Sequence, residues 1–182
     1  FDVVVGNPPW LPWTKLPDGW RRKSEPLWKK AGLWYTPAEA SDSFSLQTSD
    51  IATLVFAVSL MRYAADEAYV GLLVPNALIS ADPGSRGFRQ FHLHPDKRDK
   101  GSFTDPTDIQ FRAMYLDDWS RIQPFAPDAA NKPVFLVTKK GDHQGPETPG
   151  SVWSRTTGGK IVKSSWRQTR PVLLEAHGSY AP

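Results

Sequence analysis

Phe1-Asp2-Val3-Val4-Val5-Gly6-Asn7-Pro8-Pro9-Trp10 opens the chain, and its reading decides the fold. The acidic and β-branched run Asp2 to Val5 predicts a buried strand. Two prolines cannot continue a strand ladder, so the chain must leave the sheet at Asn7-Pro8-Pro9. At the strand tip this leaves a stiff turn with one amide side chain, free carbonyls and a large aromatic plane. Those groups suit a planar ring bearing an exocyclic NH2. Asn7 supplies a side-chain carbonyl that accepts from N–H. Prolines lack N–H, so the backbone there offers acceptors with few competing donors. An amine held by two acceptors keeps its lone pair aimed at an electrophile. Trp10 can replace the stacking that a base loses on leaving a duplex. The prolines fix this geometry before substrate arrives. The competing reading is a Pro-Pro turn after a strand, with no catalytic role.

Asn7-Pro8-Pro9-Trp10 resembles the Asn-Pro-Pro-aromatic signature of S-adenosylmethionine-dependent amino-methyltransferases. In particular it resembles the N6-adenine DNA methyltransferases of restriction-modification and related phage-defence systems. That family usually carries Tyr or Phe where this chain has Trp10. The resemblance implies that Asn7 and the Pro8 carbonyl hold the amine and that Pro9 stiffens the turn. Trp10 would stack on the target ring.

Two later segments extend the resemblance over roughly residues 1–140. Asp50 to Asp66 (DIATLVFAVSLMRYAAD) has helical length, with Ser49 or Asp50 as N-cap. Ala68 to Pro75 (AYVGLLVP) follows as an apolar β-rich run, ending in Asn76-Ala77-Leu78-Ile79-Ser80. Trp119 to Lys140 resembles the family's closing hairpin, where a Phe-centred loop precedes a strand ending in basic residues. By that resemblance Phe125 is a second aromatic against the extruded base.

The resemblance also implies a glycine-rich loop and an acidic residue for the cofactor, S-adenosyl-L-methionine. No such loop occurs here; Gly158-Gly159 sits in a polar stretch without a strand–loop–helix setting. The chain starts at Phe1, inside the expected strand. It therefore reads as the C-terminal part of a catalytic domain, inactive alone, with the cofactor half upstream. A permuted order, with that half downstream, is the alternative.

The composition agrees with a globular domain. The chain has 182 residues, enough for one domain with a core. Hydrophobic residues at 40% and aromatics at 12% exclude a disordered chain. No stretch has the length of a membrane span or a signal-peptide pattern, which is compatible with a cytoplasmic location. Zero cysteines exclude disulfides and thiolate metal sites. His92, His94, His143 and His177 show no metal spacing with paired acids. His92-x-His94 could place two imidazoles on one strand face, against the simpler reading of a solvated loop.

Charge concentrates after the turn. Between Leu11 and Tyr35 lie Lys15, Arg21, Arg22, Lys23, Lys29 and Lys30, opposed by Asp18 and Glu25. That excess of four is larger than the whole chain's formal +3, so the remainder is near neutral. Trp13, Trp20, Trp28, Trp34 and Tyr35 are interleaved with these cations. Basic groups among aromatics suit a phosphate backbone and unstacked bases. The alternative is an insertion whose Trp residues pack on the core while its lysines stay wet.

The expected organisation follows. Residues 1–10 form strand and turn, and 11–48 a basic-aromatic insertion broken at Pro12, Pro17, Pro26 and Pro37. Residues 50–80 form helix, strand and turn, and 81–114 a polar connector. In that connector Arg86, Arg89 and Arg98 could meet phosphates, although a solvated loop is the plainer reading. Residues 115–140 hold a strand pair, and 141–182 a linker toward a recognition region not in this chain. The expected fold class is α/β: half of a doubly wound methyltransferase sheet with flanking helices and a C-terminal hairpin. Substrate would lie at the carboxyl ends of its strands.

The expected function is methyl transfer to N6 of a flipped adenine in double-stranded DNA. A nuclease, recognition domain or further subunit of the same system is the expected additional partner. A protein-glutamine or RNA amino-methyltransferase would use the same signature, because an amide NH2 presents the same donors. The chemically distinct alternative is a non-catalytic DNA-binding module of a defence complex.

Overall fold

A computed structural model describes residues 1–33, 50–80, 88–93, 109–125, 132–143 and 147–168. Its elements run β1 (Val3–Gly6), α1 (Asp18–Lys30), α2 (Ile51–Val58) with a π-helical turn (Ser59–Tyr63), and β2 (Tyr69–Pro75). After a one-turn helix α3 (Ala77–Ser80) come β3 (His92–Leu93), β4 (Ile109–Asp118), β5 (Pro133–Lys140), β6 (Thr148–Arg155) and β7 (Ile161–Gln168).

Six strands lie side by side in the order β1-β2-β5-β4-β6-β7, and β3 pairs with the start of β4. β1 pairs parallel to β2, Val3 opposite Tyr69 and Gly6 opposite Leu72. β5 runs antiparallel to both β2 and β4. β6 runs parallel to β4, and β7 antiparallel to β6. Strands β1, β2, β4 and β6 therefore share one direction and end at one rim of the sheet.

The expected first strand forms, one residue later than read, but it is not buried. Val3 is 59% exposed and Val5 70%. Among the described residues β1 is the outermost strand, with β2 as its neighbour.

The core forms where apolar periodicity meets the sheet. Asp50 caps α2 by accepting from the Ala52 N–H at 2.8 Å. Behind it, Ala52, Leu54, Phe56 and Ala57 are buried. The helix then widens into a π turn, closed by Ala64 N–H to Ser59 C=O at 2.9 Å, so it stops short of the expected Asp66. Phe56, Phe88, Phe111 and Phe91 form a chain of tilted ring contacts with centroids 5.0–5.4 Å apart. It joins α2 to β4 through the turn at Phe88–Gln90.

Three segments depart from the sequence reading. The expected polar connector 81–114 supplies the buried Phe88, Phe91 and Leu93, strand β3 and the first residues of β4, because its apolar residues are spaced too irregularly to show a period. The insertion expected to be broken by prolines contains α1, which starts after Pro17 and runs through Pro26. Pro17 holds the N-cap position, where a missing N–H costs nothing, and Pro26 is on the exposed side. The stretch from Thr148 to Gln168, read as part of a linker, is a full antiparallel hairpin that extends the sheet. Its Ser-, Thr- and Gly-rich composition hides a period-two pattern, since few of its inward positions are apolar.

Arg89 is also corrected. It is 1% exposed, and Nη1 donates to the Ile79 carbonyl at 3.2 Å, so it neither faces phosphate nor lies in a solvated loop. Trp34, Tyr35, Pro37, Arg86, Arg98, His94, His177 and residues 169–182 lie outside the described residues.

Candidate functional site

Parallel strands leave their loops at the rim of their carboxyl ends, where a crevice can form. The turn of interest starts there, directly after Gly6. Asn7 and Pro9 are exposed, Pro8 is buried and Trp10 is partly buried. The turn is held in three places. First, Trp10 Nε1 donates to the Leu73 carbonyl at 3.2 Å, one residue beyond the last β1–β2 pair. Second, Leu11 C=O accepts from Ile51 N–H at 2.9 Å, and Pro12 forms an isolated bridge with Asp50. Third, the Asp50 carboxylate accepts from the Leu11 backbone as well as from Ala52. Burial pushes the Asp50 carboxyl above the ordinary carboxylate value, and those two N–H donors partly offset the rise.

Phe125 reaches the same rim from the connection after β4. Trp119 N–H to Pro133 C=O at 3.0 Å and Ile122 N–H to Trp119 C=O at 3.1 Å coil that connection. Asp118 Oδ1 caps it by accepting from Ser120 N–H at 2.8 Å. The Trp10 and Phe125 rings meet with centroids 6.2 Å apart and planes at 71°. The two residues singled out for stacking are thus neighbours although 115 positions apart in sequence. They meet edge to face and are not parallel walls, so a ring entering between them requires Phe125 (40% exposed) to swing aside.

The cations of α1 divide into paired and exposed groups. Arg21 forms an ion pair with Asp18 and lies 5.4 Å from the Trp13 ring centroid. Lys29 bonds to Glu25 at 2.6 Å, one helical turn away. Lys15, Arg22 and Lys23 are exposed, and Lys30 is half-buried. Trp28 is 1% exposed in the core, and Trp13 packs against the core, as the insertion-on-core reading requires. Trp20, by contrast, is 66% exposed beside the cations. Arg21, Arg22, Trp13, Asp18 and Glu25 line a shallow groove of mixed charge.

Among the described residues no group of His, Asp and Glu is placed to hold a metal. No helix among them is long and apolar enough to cross a membrane. The residue that the sequence reading missed is Asp50 as a tie to the turn. An N-cap is legible from sequence, but its bond to Leu11 is made across the fold.

No protein-family model matches the chain, and no curated protein matches it. Solved structures do. The type IIG restriction endonuclease BpuSI superposes with a TM-score of 0.51 and 14% identity, covering 90% of this chain and 19% of that one. The type IIL restriction-modification enzyme MmeI in complex with DNA gives a TM-score of 0.49 and 12% identity, over 94% of this chain and 19% of that one. A type I restriction-modification assembly gives 0.49 and 16%, over 87% and 25%. The chain therefore spans a quarter or less of the length of these proteins. At such identities the likeness is one of fold. The structural neighbours of this α/β chain are proteins of restriction-modification systems.

Proposed function

We propose that this chain is the substrate-holding part of a DNA adenine N6-methyltransferase within a restriction-modification system. The supporting observation is Asn7-Pro8-Pro9-Trp10 at the carboxyl rim of β1, with Trp10 fixed to Leu73 and facing Phe125. The fold shared with part of a type IIG restriction endonuclease is consistent with it.

In this reading the exposed Asn7 carbonyl oxygen and the Pro8 carbonyl accept the two N–H groups of the adenine N6 amine. Both donors engaged, the nitrogen lone pair points away from the ring plane toward the incoming methyl. Trp10 covers one face of the flipped base and Phe125, once displaced, borders the other. S-adenosyl-L-methionine supplies an electrophilic methyl group. The glycine-rich loop that cradles such a cofactor is expected in the part of the catalytic domain upstream of these residues. Their work is to bind and orient the amine, whose proton passes to water at the exposed Asn7 once the methyl is transferred. The exposed Lys15, Arg22 and Lys23, with Trp20, are the α1-side groups available to DNA phosphates. A nuclease or recognition subunit of the same system is the expected companion.

The test is transfer of labelled methyl by the full-length protein to duplex DNA, structured RNA and protein in parallel, with Asn7→Ala beside each. Label on DNA adenine that disappears in the variant supports the reading. Label on RNA or on protein glutamine keeps the amine chemistry and replaces the substrate. Turnover unchanged in Asn7→Ala removes the mechanism.

A further inference from the structure

The β6–β7 hairpin is absent from the sequence reading and is not used by the site above. Between Thr148 and Gln168 there is no Asp or Glu, whereas Arg155, Lys160, Lys163 and Arg167 are all basic. Arg155, Lys160 and Lys163 are exposed. The direction of the strands gives this charge a position. Asp118, the last residue of β4, pairs with Val152, so Ser154 and Arg155 run on past the rim at which β1 and β2 also end. Trp153, Ser154 and Arg155, at roughly 3.3 Å each, carry the hairpin about 10 Å beyond the end of β4. Four strand spacings separate β1 from β6, roughly 19 Å in all at about 4.8 Å each. The basic tip therefore leaves the sheet at the same ends of its strands as Asn7, four strands away across a twisted rim.

The hairpin is held rigid. At its root, Trp153 Nε1 donates to Asp117 Oδ1 at 2.8 Å, and Tyr115 Oη bonds Ser151 Oγ. Lys163 Nζ lies 5.1 Å from the Trp153 ring and 3.9 Å from Asp117 Oδ2. At its tip, Thr156 N–H donates to Lys160 C=O at 2.9 Å, and Lys160 N–H to Thr156 Oγ1 at 3.2 Å. Gly159, at φ 79°, has open space around it, so a strand of another molecule can approach the backbone closely. A preformed, small-residue, cationic tip without an aromatic suits a phosphate backbone better than a base edge.

We propose that the tip of the β6–β7 hairpin, through Arg155 and Lys160, grips the sugar-phosphate backbone of the same duplex whose base enters at Asn7. This rests on the DNA reading and adds a second anchor to it. A lateral offset of roughly 19 Å with about 10 Å along the strands gives a separation of roughly 21 Å, well under one turn of duplex (about 34 Å), so one duplex crossing the rim can meet both. Lys163 is largely committed to Trp153 and Asp117 and serves to brace the strand.

The test is binding of the full-length protein to a short duplex over a series of salt concentrations, for wild type and for Arg155→Gln/Lys160→Gln. Each lost phosphate contact makes the slope of log K against log salt shallower by about 0.9, so the double variant is expected to lose about 1.8 and to bind more weakly. Lys160→Glu, which alters the charge by the same two units at one position, should also weaken binding. Arg62→Gln, exposed at the opposite rim beside Tyr63, should match wild type. Wild-type slope and affinity in both hairpin variants, with duplex still bound, overturn the anchor and leave the DNA reading standing. A wild-type protein that binds no duplex ends both. An equal loss in Arg62→Gln also overturns the anchor, since general charge would then explain it.

Discussion

Trp10 donates its indole N–H to the main-chain carbonyl of Leu73 at 3.2 Å. The bond falls just past Gly6 opposite Leu72, where β1 ceases to pair with β2. An aromatic side chain thus continues the contact that the backbone can no longer make once prolines intervene. It also sets the plane of the ring. A Tyr or Phe in this place could stack but has no ring N–H to give Leu73, which supplies a structural reason for tryptophan here.

Replacing Trp10 by Phe should therefore lower methyl transfer less than replacing it by Ala. Base stacking on an aromatic is worth about 1–3 kcal/mol, and Phe keeps a stacking face while losing the bond to Leu73. Steady-state kinetics on the target duplex give the comparison. Equal loss in the two variants would show that stacking is not the role of Trp10.

Asp50 links stability to pH. Its folded carboxyl sits above the ordinary value of 3.8 because burial disfavours the anion, against the N–H groups of Ala52 and Leu11. The folded state then binds the proton more tightly than the unfolded state does. Its contribution is fully present below 3.8 and is lost as pH rises through the folded value. Asp50→Asn keeps a capping oxygen and has no such titration. The melting temperature of Asp50→Asn relative to wild type should rise between acid and neutral pH. A difference that stays flat, or falls, contradicts the burial argument.

Phe88 is the centre of the aromatic chain and fully buried, touching both Phe56 and Phe111. Phe88→Ala should destabilise the fold by about 3–5 kcal/mol through lost burial and a cavity. Denaturant titration at unchanged m value measures it. A loss below about 1 kcal/mol would mean that the neighbours close the gap.

Gly141 ends β5 with φ 88°, and a Cβ there would stand 2.8 Å from Glu67 Oε1. Glu67 is itself at φ 64° and pairs with Lys139. Gly141→Ala should cost about 1–2 kcal/mol from the left-handed backbone alone. Asp142→Ala, one residue on, should cost less, since it removes only a 3.5 Å contact to an already paired Lys139. Thermal melts of the two variants rank them; a reversed order refutes the backbone account.

The turn after β1 and the start of α2 were legible because their signals are local. Prolines after a β-branched run force a turn whatever the rest of the chain does, and the cap and apolar face of α2 lie within a few residues of each other. The meeting of Trp10 with Phe125 was legible only by resemblance, since sequence carries no direct record of a contact across 115 positions. The β6–β7 hairpin escaped because cross-strand pairs such as Trp153 with Lys163 and Ser151 with Ser165 stabilise it without an apolar stripe. Helix α1 escaped because Pro26 was read as a break, although Trp28 and Leu27 fasten that helix to the core.

Strand polarity sorts the charges of this molecule. β5 runs opposite to its neighbours, so Pro133 lies level with Pro75 and Lys139 level with Tyr69. Lys139 and Lys140 are consequently delivered to the rim remote from Asn7. There they meet Glu67 and Asp66, and Lys140 Nζ donates to the Ala64 carbonyl at 2.9 Å. With the opposite polarity these two ammonium groups would stand at the rim of Asn7 and Pro8 and would compete for their carbonyl oxygens. Reversing a single strand thus carries two ammonium groups from the Asn7 rim to the far one, where carboxylates receive them, and leaves Lys132, the residue before β5, on the near side.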